Sequence, residues 1–154
     1  KANREYSEKE KQEIAERKNN YYKELLCDLT PNDILTGVTE KLDELKENGI
    51  KIAIGSSSKN TPIILKQIGL DSYFDAVSDG NNITHSKPNP EVFLKAAEML
   101  GIAPEDCMIV EDADAGIEAG KRAGMKTLAL QGANGADFKA KNLTECDWVN
   151  LLEI

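Results

Sequence analysis

The sequence predicts an α/β fold built on a parallel sheet. Apolar runs of strand length alternate with helical patterns at regular spacing, and several of those patterns stop at a glycine, as at Gly49, Gly101 and Gly124. Polar loops rich in Ser, Asn, Asp and Pro separate the elements. Such alternation is the signature of βα units joined into one parallel sheet.

Taken in order, residues 7–26 read as a helix with charged faces and a Tyr21-Tyr22 pair. This helix fits the alternation poorly and is expected to belong to a different subdomain. "CDLTPND" is a loop with turn chemistry. A second helix is expected from Val38 to Asn48, then the strand "IKIAIG" and the polar loop "SSSKNTP". Pro62 suits the first turn of the next helix, which ends near Gly69. "FDAVS" is a short strand, followed by a long polar loop from Asp79 to Pro90. A helix from Glu91 to Leu100, the strand "CMIVE", the small-residue helix "DAGIEAGKRAG" and the strand "KTLALQ" follow. The tail carries a weak strand around Trp148 and a short last helix.

With 154 residues the chain suffices for one domain with a real core, or a core plus a small accessory piece. Hydrophobic residues at 40% and charged residues at 30% fit a folded domain and not a disordered one. The net charge of -8 argues against nucleic acid and anionic membranes as partners. The three cysteines form no CxxC and fit reduced thiols in a cytoplasmic protein. No signal peptide or membrane span is seen. The chain opens at Lys1 directly into a charged helical pattern, as the interior of a longer protein would.

Ligands of open parallel sheets sit at the carboxyl ends of the strands, and polar clusters fall there. The first is Ser56-Ser57-Ser58-Lys59-Asn60. Its hydroxyls and backbone N–H groups suit a phosphate, although an ordinary turn with a Thr or Asn cap explains the same residues. The second is Ser86-Lys87-Pro88-Asn89-Pro90. Prolines stiffen the backbone around Lys87, which then offers a point charge to an anion, or is simply exposed. The third is "IVEDADAGIEAG". Glu111 and Asp112 at a strand end offer hard oxygen ligands for Mg²⁺. Asp112 or Asp114 also suits the start of the next helix. Capping does not explain three acids at once. His85, the lone histidine, reads as a loop residue, and the chain has neither a nucleophile elbow nor a dinucleotide or P-loop glycine motif.

In this order, "SSSKN", "SKPNPEVF" and "VEDADAGIEAGKRAG" resemble the second, third and fourth motifs of the haloacid dehalogenase superfamily of phosphotransferases. With "ERKNNYY" of the first helix, the resemblance is closest to the β-phosphoglucomutase branch. It implies a Rossmann-like core with a helical cap inserted after the first strand. It implies interconversion of β-glucose 1-phosphate and glucose 6-phosphate through a bisphosphate, with an aspartyl-phosphate on the enzyme and Mg²⁺ as cofactor. By the same resemblance Ser56 hydrogen-bonds the transferring phosphate and Lys87 pairs with it. Glu111 and Asp112 ligate Mg²⁺. Ser58, Lys59 and Asn60 hold the sugar's other phosphate, and Lys18 reaches the sugar from the cap. Phosphoryl transfer of this kind rests on positioning and charge neutralisation.

The family's first strand, which carries an Asp-x-Asp pair, has no counterpart in this sequence. Asp112-Ala-Asp114 has the spacing but stands where the fourth motif belongs. Residues 1–30 are therefore expected to be the C-terminal part of a cap, and residues 31–154 an α/β core lacking its first strand, with exposed strand edges and no activity alone. A sugar-phosphate phosphatase of the same superfamily is the second reading, and a non-catalytic binding module the third. The expected partner is a phosphorylated sugar, and a monomer is expected for the full-length protein.

Overall fold

The computed structural model describes residues 4–147 and Leu151. Helix α1 spans Glu8–Leu26. A reciprocal capping box opens it: the Ser7 hydroxyl accepts from Glu10 N at 3.3 Å, and the Glu10 carboxylate accepts from Ser7 N at 2.9 Å. Only Leu26 of this helix is buried. A 3-10 turn at Pro31–Asp33 leads to α2, Val38–Glu47. The βα alternation then runs β1 (Ala53–Gly55), α3 (Thr61–Gln67), β2 (Ala76–Ser78), α4 (Glu91–Leu100), β3 (Met108–Glu111), α5 (Asp114–Arg122) and β4 (Lys126–Ala129). A two-residue strand, β5 (Phe138–Lys139), and a 3-10 turn at Leu143–Glu145 follow. The weak strand expected around Trp148 lies outside the described residues, and of the short last helix only Leu151 is described.

All strand pairs are parallel, as expected, but the sheet is interrupted. β1 pairs with β2, and β3–β4–β5 form a second ladder. Among the described residues no hydrogen bonds join β1 to β3. Val110, in the middle of β3, is 38% exposed.

Residues on both faces of β3 pack against the rest of the core. Successive strand residues point to opposite faces. Accordingly Ile109 packs against the cluster of Val92, Phe93 and Ala97 of α4, Ala119 of α5 and Ala123 just after it, whereas Met108 packs with Leu45 of α2, Ile52 and Leu128. The α4 helix also touches β1, β2 and α5. Helix packing thus holds the two ladders together where the sheet does not. Gly101, in the left-handed region at φ 66°, closes α4.

Candidate active site

The loop after β1 is ordered by its own hydroxyls. Ser56 Oγ accepts from Ser58 N and Ser58 Oγ from Asn60 N, each at 3.1 Å, and Thr61 Oγ1 donates to Ser58 O at 2.9 Å. Asn60 takes the cap position of α3 without a side-chain capping bond, so the expected Asn or Thr cap is not made. The loop after β2 clamps it. Gly80 N donates to Ser58 O at 3.1 Å and Asn81 Nδ2 to Lys59 O at 3.0 Å. The buried Asp79 carboxylate in turn accepts from Asn81 N at 2.8 Å.

The loop carrying Lys87 is fixed from several sides. The Glu91 carboxylate, in the first turn of α4, accepts from Thr84 N at 2.8 Å and His85 N at 2.7 Å. These bonds, the Thr84 one first, hold its carboxyl below the usual carboxylate range. His85 places Nδ1 3.0 Å from the same carboxylate, consistent with a loop role. Asn89 Oδ1 accepts from Glu91 N at 3.0 Å. At the loop's centre Lys87 N donates to Ser57 Oγ at 3.4 Å, and the Lys87 ammonium lies 4.6 Å from the Phe93 ring centroid.

The Lys87 ammonium pairs directly with Glu111 at the end of β3, and both side chains are largely buried, at 18% and 12% exposure. Gly116 of α5 lies against the Glu111 side chain: a Cβ there would fall 2.6 Å from Glu111 Cγ and closer still to its carboxyl. Asp112 is exposed and makes no hydrogen bond or ion pair among the described residues. Asp114 is the first residue of α5, as expected, but neither acid caps it; Ala113 stands at the cap position. Asp114 Oδ1 instead accepts from Asn134 N at 2.8 Å, which holds its carboxyl below the usual range.

Lys87 and Glu111 therefore meet, and Ser57 joins them to the Ser56–Asn60 loop. The side chains of Lys59 and Lys18 are exposed and carry no hydrogen bond or ion pair among the described residues. The contact from α1 comes from the neighbour of Lys18: Asn19 Oδ1 accepts from Asn60 Nδ2 at 2.8 Å. Sequence reasoning named Ser57 within the first polar cluster without its bond to Lys87, and missed Asn19, Glu91 and Gly116 as parts of this arrangement. Only "SKPNPE", with an Asn and a Glu astride a helix start, carried a local signal for any of them. A surface depression of 460 Å³ lined by His85, Glu91, Leu94 and Lys95 includes none of Ser56, Lys87, Glu111 or Asp112. Groups of three or more metal-ligating side chains do not occur among the described residues, so Glu111 and Asp112 supply at most part of a metal's shell.

This chain is similar to several known proteins. It is 41% identical over 143 residues to β-phosphoglucomutase of Bacillus subtilis, covering 91% of this chain and 63% of the relative. It is 46% identical over 94 residues to phosphoglycolate phosphatase of Aquifex aeolicus, covering 59% of this chain and 44% of that enzyme. The crystal structure of β-phosphoglucomutase from Clostridium difficile superposes with a TM-score of 0.88 at 36% identity, covering 96% of this chain and 68% of that one. The chain thus spans from under half to about two thirds of the length of these relatives. Residues 2–130 match the haloacid dehalogenase-like hydrolase family, to which this chain belongs.

Proposed function

We propose that this chain is the core and part of the cap of a phosphotransferase of the β-phosphoglucomutase type, with residues 1–30 in the cap and 31–154 in the core. The observation that carries the reading is the joining of Ser57, Lys87 and Glu111 at the carboxyl ends of β1 and β3. Hydroxyls, a lysine and acids at strand ends support this reading, because open α/β sheets bind their ligands there. Ser56 and Lys87 are assigned to the transferring phosphate, Ser58, Lys59 and Asn60 to the sugar's second phosphate, and Lys18 to the sugar. The aspartate nucleophile of that enzyme type has no counterpart among the residues assigned here, and among the described residues β1 and β3 each keep one edge unpaired.

Glu111 and Asp112 fit Mg²⁺ by donor chemistry. The ion takes hard oxygens, commonly one or two carboxylates together with substrate phosphate, and Asp112 is exposed with no competing partner among the described residues. When bound there, Mg²⁺ would neutralise charge on the phosphoryl oxygens. Lys87 adds the protein's own positive charge beside Glu111.

Mutase rather than phosphatase is favoured by the extent of the likeness. A match to the B. subtilis mutase over 91% of the chain includes Lys18 and Asn19 wherever it begins, whereas the A. aeolicus phosphatase likeness covers 59%. The test is to incubate the full-length protein with β-glucose 1-phosphate, Mg²⁺ and a trace of the bisphosphate. Formation of glucose 6-phosphate supports the reading; release of free phosphate in its place transfers the assignment to a sugar-phosphate phosphatase.

A further inference from the structure

The contact between α1 and the Ser56–Asn60 loop is narrow and polar. Most of α1 is solvent-exposed, with Ile14, Tyr21 and Leu25 among its exposed residues. Among the described residues, the Asn60–Asn19 bond is the one side-chain hydrogen bond from α1 to the α/β elements. Asn60 is 5% exposed. Its main chain is held independently, since its N donates to Ser58 Oγ and its carbonyl accepts from Ile64 N. A carboxamide offers two N–H donors and an oxygen acceptor, and here Asn19 is its one partner among the described residues. A buried amide with that much unused capacity, on a loop of hydroxyls, is suited to a ligand. The Asn19 bond is then what decides which way the Asn60 carboxamide is turned.

We propose that Asn19 is a positioning residue for phosphate at this loop. By accepting from Nδ2 it fixes the amide of Asn60 as a donor, leaving the second N–H for a phosphate oxygen. The proposal rests on the reading that Ser58, Lys59 and Asn60 hold a phosphate. Without the Asn19 acceptor, the carboxamide is free to present its oxygen, which repels an anion. The same bond couples the two events: phosphate that orders Asn60 favours docking of α1, and docking of α1 favours phosphate, by reciprocity of linked equilibria.

The test is titration of the full-length protein with inorganic phosphate, followed by calorimetry. Wild type is compared with Asn19→Ala, Asn60→Ala and the double variant; Asn60→Asp, which keeps the shape of the side chain and removes its donors, is the second background. Asn19→Ala is expected to weaken phosphate binding by about 2- to 10-fold, the range of one neutral hydrogen bond. In either Asn60 background it is expected to add nothing, because Asn19 acts through Asn60. The Tm without phosphate is expected to change little. Unchanged phosphate affinity in Asn19→Ala, or losses that add in the double variant, would overturn the proposal. A wild type that turns over sugar phosphate with Asn19→Ala equal to it sinks this proposal alone. A wild type that neither binds phosphate nor turns over sugar phosphate sinks it together with the reading it rests on.

Discussion

Gly116→Ala is the substitution that most directly separates folding from function. An added Cβ would lie 2.6 Å from Glu111 Cγ. Carbon atoms in contact rest about 3.5–4.0 Å apart, so the side chain of Glu111 must retreat by roughly 1 Å. It can do so without disturbing a strand, because the atoms in the way belong to the end of a side chain. Overpacking of about 1–3 kcal/mol is offset in part by the roughly 1 kcal/mol that Ala gains over Gly inside a helix. The net loss of stability is therefore small, of order 1 kcal/mol. The functional loss is larger. Glu111 holds Lys87, and a displacement of about 1 Å in a catalytic arrangement costs on the order of 100-fold in rate. The assay is turnover of β-glucose 1-phosphate by the full-length variant alongside its thermal unfolding. A folded variant with wild-type turnover and wild-type Mg²⁺ requirement would refute the reasoning.

Other expectations follow from the same geometry. The carboxyl of Glu91 is held low by the Thr84 and His85 N–H groups, so its stabilisation is complete above the unfolded value of about 4.3 and is lost as pH falls through the lower folded value. Urea unfolding across acid pH should show that loss in wild type, and Glu91→Gln should flatten it. Thr127 is fully buried; its hydroxyl donates to the Asp137 carboxylate at 2.7 Å and accepts from Asp137 N at 3.1 Å. Thr127→Val should cost about 1–3 kcal/mol in urea unfolding, and Thr127→Ser much less. Chelation of Mg²⁺ should abolish turnover by the full-length protein, and Glu111→Gln and Asp112→Asn should each raise the Mg²⁺ concentration that restores it.

The βα alternation was legible because it is local. Strand runs such as "CMIVE" and terminators such as Gly101 act within a few residues of themselves. Ser56, Lys87 and Glu111 could be picked out as candidates for a related reason: strand ends and proline-flanked loops are local features, and Lys87 and Glu111 do meet. The connections among them were not. Lys87 meets Glu111 across 24 residues, Ser57 across 30, and Asn60 meets Asn19 across 41. No periodicity or turn chemistry encodes such pairings; they depend on where α4 and α1 pack. Asp114 shows the same limit on a smaller scale. An acid at a helix start reads as a cap, yet a carboxylate can bond whichever N–H the fold brings near, and here that is Asn134.

Lys87 has a further significance in a sheet that is interrupted between β1 and β3. Its backbone N–H bonds Ser57, which follows β1, and its ammonium bonds Glu111, which ends β3. Lys87 therefore binds both halves of the candidate site, although among the described residues no ladder joins the strands beneath them. Proline stiffness alone does not place it, as the sequence reading held. Glu91 fixes the residues before it, Arg122 of α5 donates to Pro88 O at 3.5 Å, and the Phe93 ring lies against its ammonium. Phe93 is also 5% exposed and part of the core between α4 and α5. The distance between the two halves of the site is thus set by helix packing against the sheet. A core change at Phe93 should accordingly disturb Lys87 before it unfolds the domain, because the ring serves the core on one side and the ammonium on the other.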